Sequence, residues 1–349
     1  MATGDVPTTT RLAALPTSSS CGGCGTQLAP SLRACPGCGA LLHAAELEAL
    51  AARAERAENA GDLRGAASAW RDALALLPPA APQRAAVAAR LDTLTRRLDA
   101  APAASRPTAG GTSGSAARGA WGTVAAVGLV LATKGKLLLL GLTKASTLFS
   151  MLAFLGVYWQ LYGWGLAAGL VVSIYVHEMG HVAAITRYGM QASAPMFIPG
   201  FGAFVRSSHA PATAREDARV GLAGPLWGLA AALVAYALYV ATGLGVWGAI
   251  AQLGAWLNLL NLTPVWHLDG ARGFRALSRR QRWTITALLA LGAPASGQNM
   301  LWVVALGGAW SAYHSLDDAP GERRTLLAYL GLAAALTVLM GITGSVVPR

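Results

Sequence analysis

Two sets of residues in this chain have the types and spacing to hold a metal ion. The run at 173–185, "SIYVHEMGHVAAI", places His177, Glu178 and His181 in otherwise apolar surroundings. On a helix His177 and His181 share one face, so both imidazoles reach one ion. Glu178 lies beside them, where a carboxylate can take a proton from an attacking water; that is the mechanical content of the H-E-x-x-H spacing. Histidines hydrogen-bonded between helices would leave the neighbouring carboxylate unexplained. An ionisable group at mid-membrane also costs about 2.5–3.5 kcal/mol on insertion scales, so three together need a compensating role. The second set uses all four cysteines, in "CGGC" at 21–24 and "CPGC" at 35–38. Two C-x-x-C pairs, each followed by glycine, offer Cys21, Cys24, Cys35 and Cys38 as the thiolates of a tetrahedral structural zinc. Disulfides and a redox motif are the alternatives. A cytosolic front segment argues against the first, and no thioredoxin-like βαβ pattern accompanies the second.

A catalytic zinc takes three protein ligands as a rule, and acidic candidates are scarce. Between 121 and 313 they are Glu178, Glu216, Asp217 and Asp269. Glu216 and Asp217 sit beside Arg215 and Arg219 and read as solvated, paired loop residues. Asp269 lies in "NLLNLTPVWHLDGAR", after an apolar run that Pro264 breaks, and by elimination it is the better candidate for the third ligand. His267, two residues before it, reads as a hydrogen-bonding group behind the ligands. An extra ligand, or a block on the water position, are its other readings. His209 reads as a solvated loop histidine.

The elements that must position these residues belong to a membrane protein. Of 349 residues 54% are hydrophobic and 12% charged, against roughly 25% charged in soluble domains. Nine of the 16 acidic residues precede position 100, so a polar front joins a membrane-embedded back. The formal charge of +11 comes largely from arginines between apolar runs, as expected of cytoplasmic loops, and nucleic acid is not an expected partner. Residues 1–20 read as a disordered leader, 21–42 as a zinc ribbon, 43–99 as a helical module, 100–120 as a flexible linker and 121–349 as the membrane domain. Within the module, "NAGDLRGAASAWRDALALLPP" (59–79) resembles the second half of a tetratricopeptide repeat, with a plain helical hairpin or bundle as the alternative. Apolar segments near 121–133, 137–158, 163–185, 220–242, 246–265, 283–312 and 325–347 give about six spans. The first of them is short, and 283–312 is one bent helix or a hairpin. The fold class is therefore mainly α: a polytopic helical membrane domain with a small β-hairpin region, preceded by a zinc ribbon and a short helical module. If 121–133 does not cross, span parity agrees with the arginine bias in placing the front and the loops 186–219 and 271–282 on the cytoplasmic side of a membrane expected to be a bacterial plasma membrane.

"HEMGH" together with "NLTPVWHLDG" resembles the site-2 protease family of intramembrane metalloproteases, marked by H-E-x-x-H and N-x-x-P-x-x-x-L-D-G. The second pattern is met at Asn261, Pro264, Leu268, Asp269 and Gly270. "MFIPGFGAFVRSS" (196–208) and "LAGPLWG" (222–228) resemble the intervening elements, and the likeness spans about 121–349. It implies that His177, His181 and Asp269 bind a catalytic Zn2+ beside the structural one and that Glu178 is the general base. Asn261 would steady the oxyanion or orient substrate. The expected substrate is a transmembrane protein, and the front domain is expected to meet a cytosolic protein partner. A catalytically inactive scaffold of the same fold is the alternative. A zinc transporter would need a second intramembrane acidic site, and the sequence offers no other buried acid.

Overall fold

The computed structural model describes residues 19–100, 145–200, 202–314 and 319–344. The leader up to residue 18, the linker at 101–120, the apolar segment 121–133 and the start of the next one lie outside the described residues. Each cysteine pair sits in a tight turn closed by a glycine with positive φ: Gly25 N–H bonds to Cys21 O at 2.8 Å and Gly39 N–H to Cys35 O at 2.9 Å. A β-branched or bulky residue is strained in that conformation, which is why glycine follows each pair. Strands β1 (Ser19–Ser20) and β2 (Gln27–Leu28) pair antiparallel across the first turn.

Three helices follow: α1 (Ala44–Asn59), α2 (Leu63–Leu76) and α3 (Gln83–Ala100). Gly61 turns the chain at φ +76°, and the Asp62 carboxylate accepts from Gly65 N–H to cap α2. Ala54, Ala66, Ala69, Trp70, Ala73, Leu91 and Leu94 form the core. The small alanines let α1 and α2 approach closely, and the Trp70 indole N–H donates to Glu58 at 2.8 Å.

The membrane part contains α4 (Ala145–Tyr162), α5 (Trp164–Arg187), the hairpin β3 (Met196–Ile198) and β4 (Gly202–Phe204), α6 (Ala214–Thr242) and α7 (Gly245–Asn261). Then come α8 (Asp269–Arg275), α9 (Arg279–Ser296), α10 (Met300–His314) and α11 (Arg323–Gly344). Among the described residues α5, α6 and α11 are long and apolar enough to cross a bilayer. Against about six expected spans, α7 has 17 residues and α10 has 15, short of the roughly 20 a bilayer takes. The stretch 283–312 is a helical hairpin, turned by Gly297 in the left-handed conformation. Phe149, Leu161, Leu291, Leu306 and Tyr313 face outward, as side chains meant for lipid would.

Two expectations fail here. Glu216 and Asp217 are not solvated loop residues, because α6 begins earlier than its apolar run, with Thr213 as N-cap. Both are buried in its first turn, as is Glu322 before α11, so Asp269 is not the lone buried acid besides Glu178. Each is neutralised locally. Asp217 takes Arg272 and Arg275 at 2.7 Å each, and Glu322 takes Arg215 and Arg219 at 2.8 and 2.7 Å. Glu216 pairs with Arg71 of the helical module. His209 stays a partly exposed loop residue outside both clusters, with its Nε2 3.1 Å from Asp72.

Candidate metal centre

α5 carries His177, Glu178 and His181, all buried, on the side packed against α6 and α7. The spacing places both imidazoles on that side, and the other elements set their rotation. The His177 Nδ1 lies 2.8 Å from the Asn258 side-chain oxygen on α7. The Asn258 amide nitrogen donates to Gly254 O at 2.7 Å, which fixes that oxygen toward the imidazole. His177 Nδ1–H is therefore the donor. His181 Nδ1–H donates to the Val220 carbonyl of α6 at 2.8 Å. With both Nδ1 atoms committed as donors, both Nε2 atoms are left as lone pairs.

Those lone pairs converge on one carboxylate. His177 Nε2 lies 3.0 Å from Asp269 Oδ2, His181 Nε2 lies 3.2 Å from Asp269 Oδ1, and the two nitrogens are 3.2 Å apart. Three acceptor groups with no donor between them repel one another unless a cation sits among them. Two nitrogens and one oxygen, with room for water, are the donor set of a catalytic zinc. The space comes from Gly224 on α6, where a Cβ would collide with the Nε2 atoms of both histidines.

Asp269 arrives through the break after α7. The chain turns at Leu262–Leu268, and Asp269 becomes the first residue of α8. The turn is held by the Tyr329 hydroxyl, which donates to Leu262 O. Gly270 packs so tightly under it that a Cβ would strike the Leu262 carbonyl, which accounts for glycine after the aspartate. On the open side, a cavity of about 380 Å³ is lined by His177, Glu178, Asn258, Asn261, Tyr158 and Gly202, among others. Glu178 and Asn261 thus face the same space as the metal-type cluster. His267 does not join it; the residue is exposed in the turn before α8. The reading of His267 as a group behind the ligands is thereby overturned. Asn258, one helical turn before Asn261, does that work for His177, and its only sign in the sequence was a second asparagine in an apolar run.

The four cysteines form a second cluster, their sulfurs within 4.8 Å of one another. Cys21 and Cys38 are 3.7 Å apart and Cys24 and Cys35 3.5 Å. A disulfide would need about 2.05 Å, whereas thiolates about 2.3 Å from one tetrahedral zinc lie about 3.8 Å apart. Hydrogen bonds from Thr26 hold the Cys24 thiol down, to about 6. Although the Ala40 N–H pulls the other way, the neighbouring sulfurs push the Cys38 thiol up to about 12. Four sulfurs this close resist full ionisation without a central cation.

Residues 165–246 match the family model described as Peptidase family M50. The likeness to the site-2 protease family therefore stands. The matched segment holds His177, Glu178 and His181 and ends before Asn261 and Asp269, which the fold returns to them. The chain is also similar to a protein of Arabidopsis thaliana, "Probable zinc metalloprotease EGY2, chloroplastic". The two are 29% identical over 191 aligned residues, covering 40% of this chain and 34% of that protein. This chain spans about a third of the length of that curated relative. No solved structure matches.

Proposed function

We propose that this chain is a membrane-embedded zinc metalloprotease of site-2 type, which hydrolyses peptide bonds in or near transmembrane segments of other membrane proteins. The observation that carries the reading is the convergence of His177, His181 and Asp269, donors turned outward and acceptors inward, beside the Glu178 carboxylate. Zinc bound there supplies Lewis-acid polarisation of the scissile carbonyl and brings a water's pKa toward about 7. Glu178 accepts the proton of the attacking water and returns it to the leaving amine. Asn261, on the cavity wall, orients the substrate carbonyl or donates to its developing charge. A substrate helix hides its carbonyls in intrahelical bonds, so it must unwind to enter; β4 offers a short strand edge on the cavity for the unwound segment.

His267 in the open position would have favoured the scaffold alternative, and an exposed His267 gives it no such support. The buried acids Glu216, Asp217 and Glu322 are each engaged by arginines, which favours structural pairing over a transport path. The ribbon is read as a second, structural zinc site. The membrane is read as a plasma membrane, with the front module on its cytoplasmic side to recruit a protein partner.

The test compares wild type with Glu178→Gln in the same membranes by mass spectrometry of new peptide termini. The variant is expected to keep two zinc ions per chain and to yield no site-specific termini. Undiminished cleavage by Glu178→Gln overturns the reading.

A further inference from the structure

The helical module does not dangle from its linker. Arg71 of α2 is buried, and its guanidinium donates both to Glu216 in the first turn of α6 and to the Tyr188 carbonyl at the end of α5. Around it the Tyr188 hydroxyl donates to Asp99 at 2.6 Å and Arg187 donates to Leu98 O. Arg219 and Arg215 lie 3.5 Å from Asp99 and Asp92. Gly189 meets the module so closely that a Cβ there would strike the Arg64 carbonyl. α5 and α6 are the helices that present His181 and hold it.

The first two turns of α6 join these contacts to the metal centre. Glu216 is gripped by the module, and four residues on, on the same stripe, the Val220 carbonyl takes the His181 Nδ1–H. Asp217 grips Arg272 and Arg275 of α8. One turn further, Gly221 packs on the backbone of Asp269, where a Cβ would lie 2.9 Å from its carbonyl oxygen. A shift of this segment thus moves the orienting partner of one ligand and the support of another. Such a shift is what losing the Arg71 contact would allow, because Glu216 would be left buried without its counter-charge.

We propose that the soluble module is a built-in positioning element of the metal centre: Arg71, by clamping Glu216 and Tyr188, holds α6 in the register at which Val220 orients His181. The inference rests on the reading of His177, His181 and Asp269 as zinc ligands. Arg71 is a positioning residue and touches no reacting atom.

The experiment is zinc release from the full-length protein in detergent micelles under excess chelator. Cys35→Ser and Asp269→Ala, each expected to delete one phase, assign the two sites. Arg71→Met is expected to speed release from the histidine site about 10-fold, with the ribbon phase and the far-ultraviolet helix signal unchanged. Glu216→Gln does the same, and the double variant adds nothing, as expected of two residues acting as one clamp. Arg71→Lys, which keeps a charge against Glu216, recovers most of the wild-type rate. Should the Arg71 and Glu216 variants fail to fold, Tyr188→Phe decides, since it removes only the hydroxyl that Asp99 accepts; a smaller acceleration of the same sign is expected. Wild-type release in the folded variants overturns the positioning role. If Asp269→Ala deletes no phase, the metal reading itself fails and takes the inference with it.

Discussion

A histidine offers one ring nitrogen to a metal reliably only when the other is committed elsewhere. Asn258 and the Val220 carbonyl do this for His177 and His181, and they come from two different helices. At this scale the most sensitive position is a residue with no side chain. Gly224→Ala places a methyl group against both Nε2 atoms, so it is expected to cost the protein one zinc per chain, read by elemental analysis. Gly331→Ala, where a Cβ meets nothing within 4 Å, is the control and is expected to leave the zinc content unchanged. Loss in both, or in neither, would remove the steric argument.

Among the elements, the break after α7 matters most, because it decides whether Asp269 reaches the histidines. Pro264 has no N–H to continue the helix, and the Tyr329 hydroxyl takes up the Leu262 carbonyl that the break exposes. Gly270→Ala overpacks this turn against the Leu262 backbone. Overpacking costs about 1–3 kcal/mol, and a lower melting temperature together with a weakened histidine-site zinc is the expected result, read by thermal unfolding and chelator titration. An unchanged melting temperature would mean that the turn yields freely. The helical hairpin of α9 and α10 closes the same region, since Gly307 of α10 packs on Thr263 and Pro264.

Over the whole molecule, the ribbon, the module and the bundle are linked unequally. The ribbon reaches the module through a long contact, Arg33 to Leu77 O at 3.5 Å, while the module is bound to the bundle by a buried ion pair. Removing one partner of such a pair costs about 3–5 kcal/mol. Cys35→Ser is therefore expected to lose the ribbon's zinc alone, with one zinc per chain retained and proteolysis of the bundle unchanged. Loss of both ions would show that the ribbon, too, supports the metal centre.

The sequence by itself singled out the residues of both clusters. H-E-x-x-H and paired C-x-x-C are local patterns whose spacing along one helix or one turn already places the ligands, and Asp269 followed because acids are so few in the apolar half. It also determined the helical class, through composition and periodicity, while the small hairpin was expected from the resemblance of 196–208 to the family's intervening elements. It misjudged Glu216 and Asp217, because charge signals solvent unless the partner is visible, and Arg71 lies 145 residues away from Glu216. It gave Asn261 attention and passed over Asn258, because a residue that orients a ligand is defined by what it faces across a helix interface. Only the tertiary structure decided those pairings: burial makes an unmet donor, acceptor or charge costly, and which groups meet depends on helix packing that no local spacing records.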